Sequence, residues 1–217
     1  MRSEKEKIRE MTKEQAIKYI WSYYRIPIIV ILILIFLLGY FIQVFRNRPG
    51  NMLLHVSFVN CYDDVSEASD FYQGFMEYAD FQEEGEVIFD ANVFFDLSRD
   101  SDYRNSYYQK TVAYLEAGTT DAVVCQKANL MGLARGGRIL SLEDNKAKEI
   151  YKKYRERIVN YITEEGEVIP VGIDISDSPV LAEMISYKGG CCLCISAFTG
   201  RLEHVAVFLD YLFQTKP

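Results

Sequence analysis

The chain has 217 residues, with 24 lysines and arginines against 31 aspartates and glutamates, and a net charge of −7 at neutral pH. This charge is unevenly divided, because residues 1–49 carry nine basic and four acidic side chains whereas residues 50–217 carry 15 basic and 27 acidic ones. The acidic C-terminal part lacks the clustered positive charge with which proteins bind nucleic acid, and anionic lipid headgroups would repel it.

Residues 1–25 have the pattern of an amphipathic cytoplasmic tail. Lysines and glutamates alternate there with apolar residues at roughly helical spacing, namely Ile8, Met11, Ile17, Ile20, Trp21 and Tyr24. Aromatic residues beside Arg25 are typical of the interface between lipid and water. The pattern predicts a helix on the membrane surface that leads into the next segment.

Residues 26–45 form an uncharged run of 20 residues, IPIIVILILIFLLGYFIQVF. At about 1.5 Å per residue, a helix of this length matches the roughly 30 Å of hydrocarbon in a bilayer, which predicts a transmembrane helix. A cleaved signal peptide is the alternative, but no small-residue cleavage site follows the run. Seven basic residues precede it and only Arg46 and Arg48 follow closely, so we expect a cytoplasmic N-terminus and an extracytoplasmic C-terminal domain in the cell membrane.

A short linker, residues 46–52, leads to a domain at residues 53–217 in which strand and helix patterns alternate. Strands are predicted at 53–59, 86–95, 122–125, 168–175 and 191–195. A helix capped by Asp64 is predicted next, with an apolar stripe of Phe71, Phe75, Tyr78 and Phe81. A second helix ends at Gly118 and has Tyr107, Val112 and Leu115 on its inner face. Further helices are predicted at 128–134, 145–161 and 202–213. Pro170 suggests that its strand lies at a sheet edge or a strand end. The alternation predicts an α/β domain with a single mixed, mostly parallel sheet covered by helices.

Polar residues follow three of these strands, where open α/β sheets bind their ligands. They are Asn60, Tyr62 and Asp63 after the first strand, Gln126, Lys127 and Asn129 after the third, and Asp174 and Asp177 after the fourth. We expect them to line a polar cleft for a small molecule or a peptide. The alternative is that they cap turns and helices, for which asparagine and aspartate are the usual choice.

The five cysteines do not form a recognisable metal motif. Strand alternation places Cys192 and Cys194 on one face and Cys191 on the other, and no second cysteine pair or histidine pair accompanies them. We expect buried free thiols. The alternative is one disulfide from Cys61 or Cys125 to a strand cysteine, which an extracytoplasmic compartment would permit.

The sequence carries no catalytic signature. His55 and His204 are the only histidines, and pairing Cys61 with either as nucleophile and base would need a proximity that nothing in the sequence fixes. Asp96, Asp100 and Asp102 lack the glycine and the glutamate that a calcium loop requires. No phosphate-binding or hydrolase motif is present. We therefore expect no catalytic residue, no metal and no cofactor.

Three segments together resemble extracellular solute-binding proteins of the type 2 periplasmic-binding fold. Leu115–Val124 is similar to a helix, Ala-Gly, Asp and apolar strand of that family, and Leu133–Leu142 is similar to the Gly and Leu-x-Leu element that follows. Ile195–Phe198 with Glu203–Leu212 resembles the closing strand and helix. Family members have two lobes that close on a ligand, whereas this chain has room for about one lobe, and a transmembrane helix replaces the usual lipid anchor.

The resemblance implies a single-pass membrane-anchored binding or interaction module outside the cytoplasm. Its partners would be the membrane, a membrane protein such as a transporter or an envelope complex, and a small-molecule or peptide ligand. Two alternatives stay open, namely an anchored envelope hydrolase and an assembly factor without a ligand. Proximity of Cys61 and His55 would favour the hydrolase, and a filled strand-end edge would favour the assembly factor.

Overall fold

The computed structural model describes residues 12–46, 51–98 and 103–215. Contacts divide the chain into two units, residues 1–49 and 50–217. The predicted tail, the predicted linker and the polar loop at residues 96–102 therefore lie partly outside the described residues.

The described part of the first unit is a single helix, α1 (Lys13–Arg46), which contains Pro27. It joins the second half of the predicted tail and the apolar run at residues 26–45 into one continuous element. Side chains at positions 29–40 are exposed. Within the described parts of the chain, no helix combines the length and the apolar character that crossing a bilayer requires. The transmembrane helix and the topology derived from it stay predictions.

The second unit is built on one six-stranded sheet in the order β2-β1-β3-β6-β5-β4. The strands are β1 (Met52–Val59), β2 (Glu86–Val93), β3 (Ala122–Cys125), β4 (Ile158–Ile162), β5 (Val168–Asp174) and β6 (Cys192–Ile195). β1 pairs in parallel with β2 and β3, and the other neighbouring strands are antiparallel. β1, β2, β3 and β5 therefore run in one direction, which confirms the predicted mixed, mostly parallel α/β sheet.

Helices cover both faces of this sheet. They are α2 (Asp70–Ala79), α3 (Ser106–Glu116), α4 (Lys127–Ala134), α5 (Lys148–Lys153) and α6 (Leu202–Leu212). α2 and α6 pack on one face through an aromatic cluster of Phe58, Phe71, Phe75, Phe89 and Phe208. α3 and α4 pack on the other face, so β3 and β6 are buried on both sides, as their continuous apolar sequences require.

The start of α2 differs from the prediction. Asp64 does not begin a helix; it accepts a hydrogen bond from the backbone N–H of Ser66 at 2.9 Å and so closes a local turn. The helix begins six residues later, where the Ser69 hydroxyl accepts from the N–H of Tyr72 at 3.1 Å. Aspartate and serine are both good N-caps. Ser69 is the one used because the helix that starts there buries Phe71 and Phe75.

The helix predicted at residues 145–161 is wrong over its second half. The segment forms a short turn, α5, another short turn and then β4, an edge strand paired with β5. Pro170 lies on β5, which is not an edge strand, opposite Asn160 of β4 and outside the residues Ile173 and Asp174 through which β5 pairs with β6. It sits at a register shift between β4 and β5, where a missing N–H is tolerated.

The buried face of α3 includes Leu115, as predicted, and the partly buried Val112, but not Tyr107. Tyr108, Thr111 and Leu115 are buried, whereas Tyr107 is 43 % exposed. The helix ends as expected at Gly118, whose φ of 65° favours glycine. A Cβ at this position would lie 2.8 Å from the carbonyl oxygen of Phe198, so the turn also needs glycine for space.

Candidate functional site

At the carboxyl ends of the central strands, the chain connections lead to opposite sides of β1. After β1 the chain runs to β2 on one side, and after β2 it crosses to β3 on the other side of β1. In open α/β sheets such a switch point leaves a crevice outside the carboxyl ends of the two central strands. Asn60 follows β1 and Gln126 follows β3, so the sequence places both residues at this crevice.

Three of the predicted site residues, all with amide side chains, form hydrogen bonds to one another and to the backbone of residues 95–97. Asn60 adopts a left-handed conformation, its side-chain NH₂ donates to the carbonyl of Phe95 at 2.9 Å, and its carbonyl oxygen accepts from the Phe95 N–H at 3.1 Å. Asn129 donates to the same carbonyl at 3.2 Å and accepts from Leu97 N–H at 2.8 Å. Gln126 accepts from both side-chain amides at 3.4 and 3.2 Å.

This network fills the crevice with the segment after β2. Asn129 is 2 % exposed and Phe95 is 3 % exposed, so the hydrogen bonds are shielded from water. Leaving such buried amides without partners would cost about 1–3 kcal/mol each, which explains why this segment is held in place. The three side chains therefore have a structural role at the crevice, and Lys127 beside them is exposed at the start of α4.

Asp63 ties two loops together at the same edge. Its carboxylate accepts from the backbone N–H groups of Ile185 and Ser186 at 3.0 and 2.9 Å, and the Ser186 hydroxyl accepts from Tyr62 N–H at 2.7 Å. Burial opposes ionisation of Asp63, but the hydrogen bonds from Ser186 and Ile185 outweigh it and lower the pKa of the carboxyl. The carboxylate thus fixes the loop after β1 against the loop that follows β5.

Asp174 and Asp177 have local partners instead. Asp174 accepts from Ser176 N–H at 2.9 Å, within its own turn. Asp177 forms an ion pair with Arg157, and this hydrogen bond lowers the pKa of its carboxyl despite slight burial. Among the hydrogen bonds of the described residues, none joins either aspartate to Asn60, Gln126 or Asn129. Of the eight predicted site residues, hydrogen bonds therefore join Asn60, Gln126 and Asn129 into one network and leave the two aspartates outside it.

An exposed aromatic surface lies where the predicted cleft was expected. Tyr62 is 83 % exposed, and its ring lies 5.4 Å from that of Phe94, which in turn lies 5.9 Å from Tyr107. Ile185, 73 % exposed, stands on the loop that Asp63 holds against Tyr62. We call Tyr62, Phe94, Tyr107 and Ile185 the aromatic edge. Exposed large apolar side chains that group together are unusual on a folded domain and mark interaction sites.

Sequence reasoning found only one member of the aromatic edge, Tyr62. The predicted strand 86–95 includes Phe94, and the predicted inner face of the next helix includes Tyr107, because a periodic pattern cannot tell a buried aromatic residue from one at the rim. The usable signal was the end of β2 at Val93, which leaves Phe94 outside the strand beside the polar segment. Ile185 lies in a stretch without periodicity.

The cysteines are buried free thiols distributed over both faces of the sheet. Cys125, Cys192 and Cys194 belong to the core under α3 and α4, whereas Cys61 and Cys191 belong to the opposite core. Burial raises the pKa of Cys191 and of Cys192 to about 12, so both are protonated at neutral pH. Among the described residues, no group of three or more cysteine, histidine or acidic side chains has a geometry that could hold a metal ion.

His55 and Cys61 have entirely different surroundings. His55 is 4 % exposed under α3, where its ring lies 6.3 Å from that of Tyr114. Cys61 packs in the opposite core and its thiol donates weakly to the Asp63 carbonyl at 3.8 Å. The extended strand from His55 to Val59 already spans about 13 Å in four residue steps, so His55 and Cys61 are not arranged as a nucleophile and base.

His55 is also a buried polar group without partners. Neither ring nitrogen forms a hydrogen bond to any described residue. Burial lowers the pKa of its imidazole and outweighs the opposing effects of Asp90, Asp121 and the backbone of Thr119. Because the folded state holds the neutral ring, the unfolded chain binds the proton more readily once the pH falls below the ordinary histidine value of about 6.5.

We expect this histidine to make the domain less stable in mild acid. The free energy of unfolding should fall as the pH decreases from 7 to 5, and His55→Leu should reduce that slope while leaving stability at pH 8 equal or higher, since an orphaned polar group is removed. Urea unfolding of the full chain in mild detergent, followed by near-ultraviolet circular dichroism, measures both quantities. An unchanged slope in His55→Leu would show that other groups carry the acid sensitivity.

Comparison with protein-family models, with curated proteins and with solved structures found no match. The resemblance to solute-binding proteins therefore rests on the three sequence segments and stays a prediction.

Proposed function

We propose that this protein is a single-pass membrane-anchored module whose C-terminal domain, outside the cytoplasm, binds a membrane-protein partner such as a transporter or an envelope complex. The observation that carries the proposal is the aromatic edge, an exposed apolar surface at the switch point of the sheet. Tyrosine is enriched among the few residues that carry most of the binding energy in protein interfaces. Anchoring by residues 26–45 would raise the effective concentration of such a partner without new contacts.

Two features favour a protein partner over a small solute. The crevice between β1 and β3 is occupied by the segment at residues 95–97, which Asn60 and Asn129 hold by hydrogen bonds. The aromatic edge stands outward from that filled crevice, with Tyr62 83 % exposed. An aromatic surface this exposed suits another macromolecule, whereas small ligands are usually enclosed in concave pockets. The domain would thus act as one lobe of a solute-binding fold that is used for docking.

Site-specific photo-crosslinking in living cells tests this proposal. Replacing Tyr62 of the full chain by a benzophenone amino acid should give a discrete adduct with one membrane protein after irradiation. The matched control is the same replacement at Ile162, which is 65 % exposed on β4 at the far edge of the sheet. The proposal fails if position 62 gives no adduct, or if both positions give the same adducts.

A further inference from the structure

A groove adjoins the aromatic edge on the face that carries α2. It has a volume of about 620 Å³ and lies between the first turn of α2 and residues 179–184. Asp63, which holds Ile185 of the aromatic edge in place, also lines the groove. The groove and the aromatic edge therefore meet at the Asp63 carboxylate.

The floor of the groove is apolar and fixed. Phe71 and Met184 are 9 and 6 % exposed, and Val180 is half-buried at the side. Tyr211 donates from its hydroxyl to the Phe71 carbonyl at 3.0 Å, which anchors the first turn of α2 to α6. An occupant of the groove can therefore bury apolar side chains against a floor that does not need to rearrange.

The rim of the groove is acidic. Asp64, Asp70 and Glu183 stand beside Asp63, and among the described residues no lysine or arginine lines the groove. The pKa of Asp64 is lowered by the hydrogen bonds that it accepts from Ser66, so its carboxylate is ionised throughout the physiological range. The whole domain adds to this field, because residues 50–217 carry 27 acidic and 15 basic side chains. An acidic partner, an anionic headgroup or a second copy of the domain would be repelled.

We propose that this groove binds a basic amphipathic segment of the partner protein, with apolar side chains on Phe71, Val180 and Met184 and cationic side chains on the rim. This inference rests on the proposed function and specifies the chemistry of its partner. Charge complementarity would both speed the encounter and fix the orientation of the segment. The exposed Tyr62 and Ile185 extend the contact beyond the groove.

The test uses the full chain in phosphatidylcholine nanodiscs and a fluorescent synthetic peptide of leucine and lysine with amphipathic helical spacing. Fluorescence anisotropy measures the dissociation constant, with empty nanodiscs and a leucine–glutamate peptide as blanks. The groove variant combines Asp64→Asn, Asp70→Asn and Glu183→Gln, which remove three charges and keep the side-chain shapes. The control variant removes three charges from the turn between β4 and β5 through Glu164→Gln, Glu165→Gln and Glu167→Gln. Near-ultraviolet circular dichroism confirms that both variants are folded.

We expect the lysine peptide to bind the wild-type chain and the control variant alike, and the groove variant about tenfold more weakly, as three partly exposed ion pairs would contribute. Equal weakening in both variants, equal binding of the glutamate peptide, or binding to empty nanodiscs only would overturn the inference. If the peptide test gives one of these contrary results while position 62 still crosslinks to a membrane protein, the proposed interaction function is supported and only the proposed basic partner segment is wrong.

Discussion

Replacing Arg201 by alanine should destabilise the C-terminal domain by roughly 3–5 kcal/mol, because it leaves a buried carboxylate without its cation. Asp121 is fully buried and accepts from Arg201 Nε at 3.0 Å and from the backbone N–H of His55 at 2.9 Å. The guanidinium also donates to the carbonyls of Gly118 and Thr119 at 3.0 Å each. One side chain thereby joins the turn before β3 to the start of α6.

Urea unfolding of the full chain measures this loss, and Lys152→Ala is the matched control. Lys152 pairs with Glu149 at 2.9 Å, but both side chains are well exposed, so removing this pair should leave the free energy of unfolding nearly unchanged. Arg201→Lys should fall between the two, since it keeps the charge and loses the forked geometry. Equal losses in Arg201→Ala and Lys152→Ala would show that the buried pair does not stabilise the domain.

Replacing Phe208 by alanine should cost a similar amount, roughly 3–5 kcal/mol. Phe208 is fully buried on α6, and its ring lies 5.4 Å from those of Phe75 and Phe89 and 6.4 Å from that of Phe58. Truncation would open a cavity at the centre of the aromatic cluster, where two helices meet the sheet. Small domains have only about 5–15 kcal/mol of total stability, so the variant should unfold at a much lower urea concentration.

Phe198→Ala is the control for this prediction, because the Phe198 side chain is 52 % exposed. Its replacement should change the free energy of unfolding by no more than about 0.5 kcal/mol. If Phe208→Ala lowers the free energy of unfolding as little as Phe198→Ala does, the neighbouring side chains fill the cavity and the aromatic cluster is not the main core of the domain.

The sequence predicted the fold where the physical signal is local. The fully apolar run Ala122–Cys125 identified β3, and the spacing of Phe71 and Phe75 identified the buried face of α2. The failure at β4 has a different cause, because Ile158–Ile162 is short and follows a helical stretch without a glycine or proline to mark the break. Its strand conformation depends on pairing with β5, which is a tertiary contact.

The site was predicted less well for a related reason. The topological rule correctly brought Asn60, Gln126 and Asn129 to one edge, and their hydrogen bonds join them there. The rule does not say whether a foreign ligand or the chain itself occupies the crevice, because the occupying segment comes from the loop after β2. The exposure of Tyr62 and Ile185 likewise depends on how the loop after β1 packs against the loop after β5. The residue pattern of one segment does not contain this information.

Thiol labelling in intact cells tests the anchored, outward-facing domain most directly. The native cysteines provide a low background because each is at most 3 % exposed in the folded domain. A cysteine introduced in the full chain at Glu164, on the exposed turn between β4 and β5, should react with a membrane-impermeant maleimide in intact cells. A cysteine at Thr12 should react only after permeabilisation, and both products should sediment with membranes. Labelling at position 12 but not at position 164 in intact cells, or recovery of the full chain in the soluble fraction without detergent, would contradict the account.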